Sequence, residues 1–170
     1  AYSKADGLMG KTFAVIGMGE IGLATAERAR SFGMTVVAER KVDRRPEVEA
    51  RIRSIGIRLV EDLDTLLRES DIVSLHVPGG AATENLVDAR FLSLMKPGSI
   101  LINTSRGEVV DEEALIAAMD EKGIRAGLDV FRNEPSGGTG EFSSALAVHP
   151  NVVGTHHIGA STQQAQNATS

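Results

Sequence analysis

Three side chains in the second half of the 170-residue chain have the types and spacing for one piece of chemistry. Arg106 closes the run Gly98-Ser99-Ile100-Leu101-Ile102-Asn103-Thr104-Ser105-Arg106-Gly107, Glu134 sits in Asn133-Glu134-Pro135, and His157 opens His157-Ile158-Gly159. A guanidinium offers a carboxylate a two-pronged fork that a lysine ammonium cannot match. A glutamate hydrogen-bonded to an imidazole favours the protonated ring, which can then give a proton to a carbonyl oxygen near neutral pH. Alone, each residue has a plainer use: an ion pair or helix start for Arg106, a loop charge for Glu134, a structural imidazole for His157. Together, at or just past three strand candidates and separated by 28 and 23 residues, they form a constellation that chance supplies less readily.

A second constellation lies near the start. Gly17-Met18-Gly19-Glu20-Ile21-Gly22 directly follows a strand candidate and opens a helical pattern. In such a turn the first glycine permits the tight bend and the second lets the backbone approach a pyrophosphate. The third lets helix pack on strand, and the helix N-terminus offers free N–H groups to the anion. The other readings of the turn are an S-adenosyl-type ligand or a purely structural bend. An acidic residue about 20 positions on, ending the second strand, commonly grips the ribose hydroxyls. Here the strand runs out through Val36-Val37-Ala38-Glu39-Arg40-Lys41, and eighteen residues past Gly22 that place falls to Arg40. Glu39, one residue earlier, is expected on the opposite side of the strand. Arg40 with Lys41, Arg44 and Arg45 suits a 2′-phosphate and favours NADP, whereas a one-residue shift would return Glu39 to the ribose and favour NAD. The plain alternative is a solvated charged loop, diluted by Asp43 and Glu47.

The elements that must position these residues alternate along the chain. Strands are predicted at Thr12–Ile16, Thr35–Ala38, Arg58–Val60, Ile72–Leu75, Ser99–Asn103, Ile124–Asp129 and Val152–Gly154. Several are apolar throughout, the pattern of parallel strands covered on both faces. Helical patterns fall near Ile21–Phe32, Leu63–Glu69, Asp88–Met95 and Asp111–Glu121, with Asp111 as an N-cap. The alternation predicts a Rossmann-type, doubly wound parallel α/β sheet in three αβα layers. Ser136-Gly137-Gly138-Thr139-Gly140 reads as a flexible surface loop within the domain, and His149, before Pro150, as a surface residue.

Composition narrows the classes. A net charge of −5 gives no global reason to bind nucleic acid or an anionic membrane. Apolar residues make up 42% of the chain, enough for a core, while the longest unbroken apolar run, Ala114 to Met119, is too short for a membrane span. Without cysteine, thiol catalysis, disulfides and Cys-ligated metal are excluded, and no metal site is expected. The chain opens Ala1-Tyr2-Ser3 with no signal-peptide pattern and stops in polar sequence. The expectation is a single dinucleotide-binding domain over residues 1–170, excised from a cytoplasmic protein, with substrate-domain segments absent at both ends.

The ordered motifs resemble the cofactor domain of the D-isomer-specific 2-hydroxyacid dehydrogenases over essentially the whole chain. The phosphate turn, Leu75-His76-Val77-Pro78, Met95-Lys96-Pro97-Gly98, Asn103-Thr104-Ser105-Arg106-Gly107, Leu128-Asp129-Val130-Phe131, Glu134-Pro135 and His157-Ile158-Gly159 carry the likeness. The resemblance implies that Arg106 binds the substrate carboxylate, His157 is the acid/base and Glu134 orients it. It places Asp129 at the nicotinamide carboxamide, Thr104 along the cofactor, Glu20 and Ile21 amides at the pyrophosphate, and Pro78 at the cleft; His76 either lines the cofactor cleft near a strand end or is a buried structural histidine. Two departures stand out: Arg40 where NAD-using members carry Asp, and His156 where many have Pro. The ending His157-Ile158-Gly159-Ala160-Ser161-Thr162 with Ala165-Gln166 is most similar to the 3-phosphoglycerate dehydrogenases of serine synthesis. The implied partners are NAD or NADP and a small 2-hydroxy or 2-oxo acid, in a homo-oligomer. The alternatives are a glyoxylate or hydroxypyruvate reductase and a dinucleotide-sensing, corepressor-like binding protein.

Overall fold

The computed structural model describes residues 6–135 and 142–163. The Ser136–Gly140 stretch and Ala165-Gln166 lie outside the described residues. Strands β1 (Thr12–Ile16), β2 (Thr35–Glu39), β3 (Arg58–Val60), β4 (Ile72–Leu75), β5 (Ile100–Asn103), β6 (Arg125–Leu128) and β7 (Val152–Gly154) form one sheet. Its order is β3-β2-β1-β4-β5-β6-β7, and every neighbouring pair is parallel. The order reverses between β1 and β4, the switch point at which open α/β sheets receive ligands.

Helices α1 (Glu20–Ser31) and α2 (Pro46–Ile55) cover one face, and α3 (Leu63–Glu69), α4 (Ala89–Leu94) and α5 (Glu112–Lys122) cover the other. Alternate strand residues divide accordingly. Phe13, Val15, Val36 and Ala38 meet Leu23, Ala26 and Ile52, while Ala14, Val37, Val73 and Leu101 meet Leu66, Leu92 and Leu115. The predicted doubly wound, three-layer arrangement is the one present. No helix among the described residues is long and apolar enough to cross a membrane.

The helix starts divide into two kinds. Asp62, Asp88 and Asp111 cap α3, α4 and α5, accepting from Thr65 N (2.7 Å), Phe91 N (2.8 Å) and Ala114 N (3.1 Å). By contrast, α1 begins behind Gly19 without a side-chain cap. At the other end of α4, the Lys122 ammonium donates to the carbonyls of Leu92 (2.9 Å), Ser93 (2.8 Å) and Met95, closing the open end of that helix.

Helix α2 is absent from the sequence expectation, which treats its start as a charged loop. Its signals are sparse but physical: Pro46 at the first turn, Val48, Ile52 and Ile55 at i, i+4 and i+7, and Gly56 in the left-handed conformation as the stop. The charged residues between them hide the stripe. Ile52 is buried against α1 and β2. Ile52→Ala is therefore expected to lower unfolding free energy by about 2–5 kcal/mol in denaturant titration; a change below about 0.5 kcal/mol would refute the packing of this helix.

Candidate active site

β1 ends at Ile16 and the chain turns through Gly17 at φ +100°, where glycine is unstrained. A Cβ at Gly17 would lie 2.4 Å from the His76 carbonyl oxygen just past β4, and one at Gly22 would lie 2.0 Å from the Gly17 carbonyl oxygen. These two glycines let the turn close on β4 and α1 close on the turn. At Gly19 an added Cβ would meet nothing within 4 Å, so this backbone borders open space. Leu23 N donates to Gly19 O (3.0 Å), which leaves the amides of Glu20, Ile21 and Gly22 ahead of the first helical bond. The Glu20 carboxylate pairs with Arg51 of α2 (2.7 Å), so its charge is balanced beside those amides. A bare glycine followed by an uncapped helix end fits the pyrophosphate of a dinucleotide.

Beside this turn lies a cavity of about 570 Å³, with Gly17, Met18, Glu39, Lys41, Arg45 and Leu66 among its lining. Glu39, not Arg40, faces it. The strand runs one residue further than the apolar run suggests, with Glu39 opposite Val60 of β3. Arg40 then leaves the sheet on the other side, its N–H donating to Val60 O (2.7 Å) and its Nε to Glu61 (3.2 Å). The sequence expectation for these two side chains is thus reversed, because counting from Gly22 does not see where the β2 ladder ends. Glu39 pairs with Lys41 (2.6 Å), and Arg44 is held by Glu49 (3.0 Å) and the Glu39 carbonyl.

The second site forms where β5, β6 and β7 end. Buried Asn103 pins the turn after β5: its Oδ1 accepts from Ser105 N (3.0 Å) and Ser105 Oγ (2.8 Å), and its Nδ2 donates to Arg106 O (2.9 Å). Arg106 Nη1 donates to Ser105 O (2.7 Å), orienting an exposed guanidinium. A Cβ at Gly107 would fall 2.1 Å from the Phe131 carbonyl oxygen, so only glycine lets this turn meet the one after β6. In that second turn Asn133 adopts φ +61°, and Glu134 folds back to accept from Phe131 N through Oε1. Its other oxygen, Oε2, lies 2.8 Å from His157 Nδ1. Arg106, Glu108, Phe131, Arg132, Glu134 and His157 line one cavity of about 370 Å³.

His157 itself sits at φ +58°, uncommon for a residue with a side chain. Asp129 holds it there. Its carbonyl accepts from His157 N (2.8 Å), and its carboxylate accepts from Thr155 Oγ1 (2.5 Å), Ile158 N (2.9 Å) and Gly159 N (2.8 Å). Burial alone would raise the Asp129 carboxyl. The Thr155 hydroxyl, the two amides and nearby His157 outweigh it and hold the group below the ordinary carboxylate range.

Residues 2–159 match the sequence model described as "D-isomer specific 2-hydroxyacid dehydrogenase, NAD binding domain". The chain belongs to this family. It is 47% identical over 161 residues to a glyoxylate reductase of Thermococcus litoralis, an alignment spanning 94% of this chain and 46% of the relative. It is 43% identical over 158 residues to a D-3-phosphoglycerate dehydrogenase of Escherichia coli, covering 92% and 37% respectively. Among solved structures, the D-lactate dehydrogenase of Aquifex aeolicus complexed with NAD and lactic acid superposes with a TM-score of 0.81 at 35% identity, over 96% of this chain and 51% of that one. The chain spans about half or less of the length of these relatives.

Not every residue implied by the family resemblance lines the two cavities. Thr104 and Pro78 are exposed just past β5 and β4. The His76 imidazole turns back to Ser74 Oγ (2.9 Å), and burial holds it below the ordinary histidine range. His149, expected at the surface, is largely buried against Asp120 (3.3 Å) and accepts from Asn151 N through Nδ1 (3.2 Å). Pro150 gives no hint of that, since the partner is 29 residues away. Asn103, Thr155 and Arg132 are organising residues that the motif reading passed over; Thr155 alone carried a local signal, a hydroxyl directly past a strand end.

The depressed Asp129 carboxyl fixes a sign. Its contribution to the His157 turn is present above the unfolded carboxyl pKa, near 3.9, and is lost as pH falls through the lower folded value. The amide resonances of Ile158 and Gly159 should accordingly titrate with an acid midpoint below about 3.9. Asp129→Asn should abolish that titration; a midpoint at or above the ordinary value would contradict the assignment.

Proposed function

We propose that this chain supplies the cofactor cleft and the proton-transfer pair of an NAD-dependent oxidoreductase acting on a D-2-hydroxy acid. The observation that carries the reading is the 2.8 Å His157–Glu134 hydrogen bond on a cavity shared with Arg106, on a dinucleotide fold. Arg106 takes the substrate carboxylate through its fork, held in direction by Ser105 O. With Nδ1 engaged by Glu134, His157 keeps Nε2 to exchange a proton with the substrate 2-oxygen. Glu134 balances the imidazolium that results when His157 takes the proton from a hydroxy acid. The bound nicotinamide supplies hydride exchange with the substrate carbon.

Short 2-oxo acids such as glyoxylate and hydroxypyruvate lead as substrates, because the 47% relative is a glyoxylate reductase. A second reading, 3-phosphoglycerate, is supported by the His157–Thr162 ending and the Escherichia coli relative. The rest of the relatives' length is where a substrate domain would complete the cleft. For the cofactor, the argument for NADP through Arg40 lapses with that side chain on Glu61. Glu39 on the cavity supports ribose hydroxyl recognition and hence NAD. Lys41 and Arg45 on the same wall support the NADP alternative.

In the intact protein, steady-state oxidation of NADH with glyoxylate or hydroxypyruvate is the direct assay, with 3-phosphoglycerate oxidation beside it. His157→Ala should lower kcat by about 10²–10⁴-fold; no turnover of any of the three by the parent would defeat the proposal.

Side-by-side fluorescence titration decides the cofactor. NADH should bind more tightly than NADPH, and Glu39→Gln should weaken NADH by on the order of tenfold, the size of a hydrogen bond to a charged group. Tighter NADPH binding would shift the assignment to the Lys41 and Arg45 alternative.

A further inference from the structure

The cofactor cleft and the substrate-side cavity are separate volumes, and one side chain on the wall of the second also reaches a wall of the first. Arg132, in the turn that carries Glu134, sends Nη2 to Asn85 Oδ1, to Glu108 O (3.0 Å) and to Val110 O (3.4 Å). Its Nη1 lies 3.7 Å from Glu84. Asn85 and Glu84 belong to the 79–87 segment between β4 and α4, whose Thr83 and Leu86 line the cofactor cleft. The far side of Arg132 faces the substrate cavity with Arg106, Glu134 and His157. Its backbone is fixed as well, Arg132 N donating to Glu112 at the start of α5 (2.7 Å).

Among the described residues, the hydrogen bond and the ion pair that join 79–87 to 131–134 both come from this guanidinium. The 79–87 segment is otherwise tied to the Arg106 turn, through Asn85 N to Glu108 O (2.9 Å) and Val87 N to Val109 O (3.0 Å). A Cβ at Gly79 would lie 2.3 Å from Glu108 Oε1, so the two segments are in close contact there too. Arg132 thus ties a wall of the cofactor cleft to the turns that aim Arg106 and Glu134. The guanidinium divides these contacts between two nitrogens, Nη2 meeting the amide oxygen and two carbonyls and Nη1 facing the carboxylate.

We propose that Arg132 is a positioning residue that couples cofactor binding to the geometry of the Glu134–His157 pair. The proposal rests on the dehydrogenase reading above. Ordering of 79–87 by a bound dinucleotide is transmitted through the guanidinium to the 131–134 turn, and so to the proton-transfer pair.

Hydrogen–deuterium exchange of the intact protein with and without NADH tests it. In the parent, NADH is expected to protect both 79–87 and 131–134. In Arg132→Met, which keeps the aliphatic stem, and in Asn85→Gly, which keeps the positive-φ turn and removes the acceptor, it should protect 79–87 alone. Both variants should lose on the order of tenfold in kcat, within the usual range of coupling between sites, with substrate KM nearly unchanged. Arg132→Lys should recover only part of the loss. Protection of 131–134 in both variants equal to that in the parent would overturn the coupling while leaving the dehydrogenase reading intact. A parent that binds no NADH would overturn that reading and the coupling with it.

Discussion

Because all seven strands among the described residues run in one direction, each delivers its chain to the same edge of the sheet. That edge collects whatever residues stand just past the strands. Gly17 follows β1, Arg106 follows β5, Glu134 follows β6 and His157 follows β7, so topology gathers all four along that edge, the last three on one cavity. An antiparallel sheet would scatter half of them to the opposite edge. The crossover helices that parallel strands require also bury both faces, and so explain why the strands are apolar throughout.

Topology brings the residues to one edge, but only close backbone contacts bring them within hydrogen-bonding reach. Gly107 lets the Arg106 turn touch the Phe131 carbonyl, Gly17 lets the phosphate turn touch His76, and Asp129 closes the His157 turn on itself. At the two glycines another segment's backbone stands where a side chain would, and at the His157 turn the Asp129 carboxylate receives two amides. The positive φ of His157 shows the same logic, since that conformation is held by hydrogen bonds to Asp129 on either side of it.

Much of this was legible in the residues. Buried parallel strands read as continuous apolar runs, so their positions emerge within a residue or so. Arg106, Glu134 and His157 each stand beside a motif that marks a strand end. What escaped depended on a single residue or a distant partner. Whether Glu39 or Arg40 faces the cleft turns on one extra rung of the β2 ladder, which charged residues do not advertise. Helix α2 hid because its stripe is three apolar residues among charges. Arg132 escaped because two of its acceptors are backbone carbonyls, which no side-chain pattern records, and the other two lie more than 45 residues away.

The joint between β1 and β4 has a further consequence for how the chain comes to be folded at all. β1 and β2 meet across 23 positions, Thr12 with Thr35, whereas Thr12 N reaches the Asp71 carboxylate beside β4 across 59. By loop-closure entropy the longer span costs roughly 1 kcal/mol more to close. Core residues cross this seam on both faces of the sheet, Ile72 joining Phe13, Val15 and Val36 on one and Ala14 and Val37 joining Val73 and Leu101 on the other. The phosphate turn sits on it, with Gly17 against the His76 backbone. A molecule spanning that seam acts as a clamp on the least local connection in the sheet, so the state of assembly and the occupancy of the cleft are linked in one equilibrium.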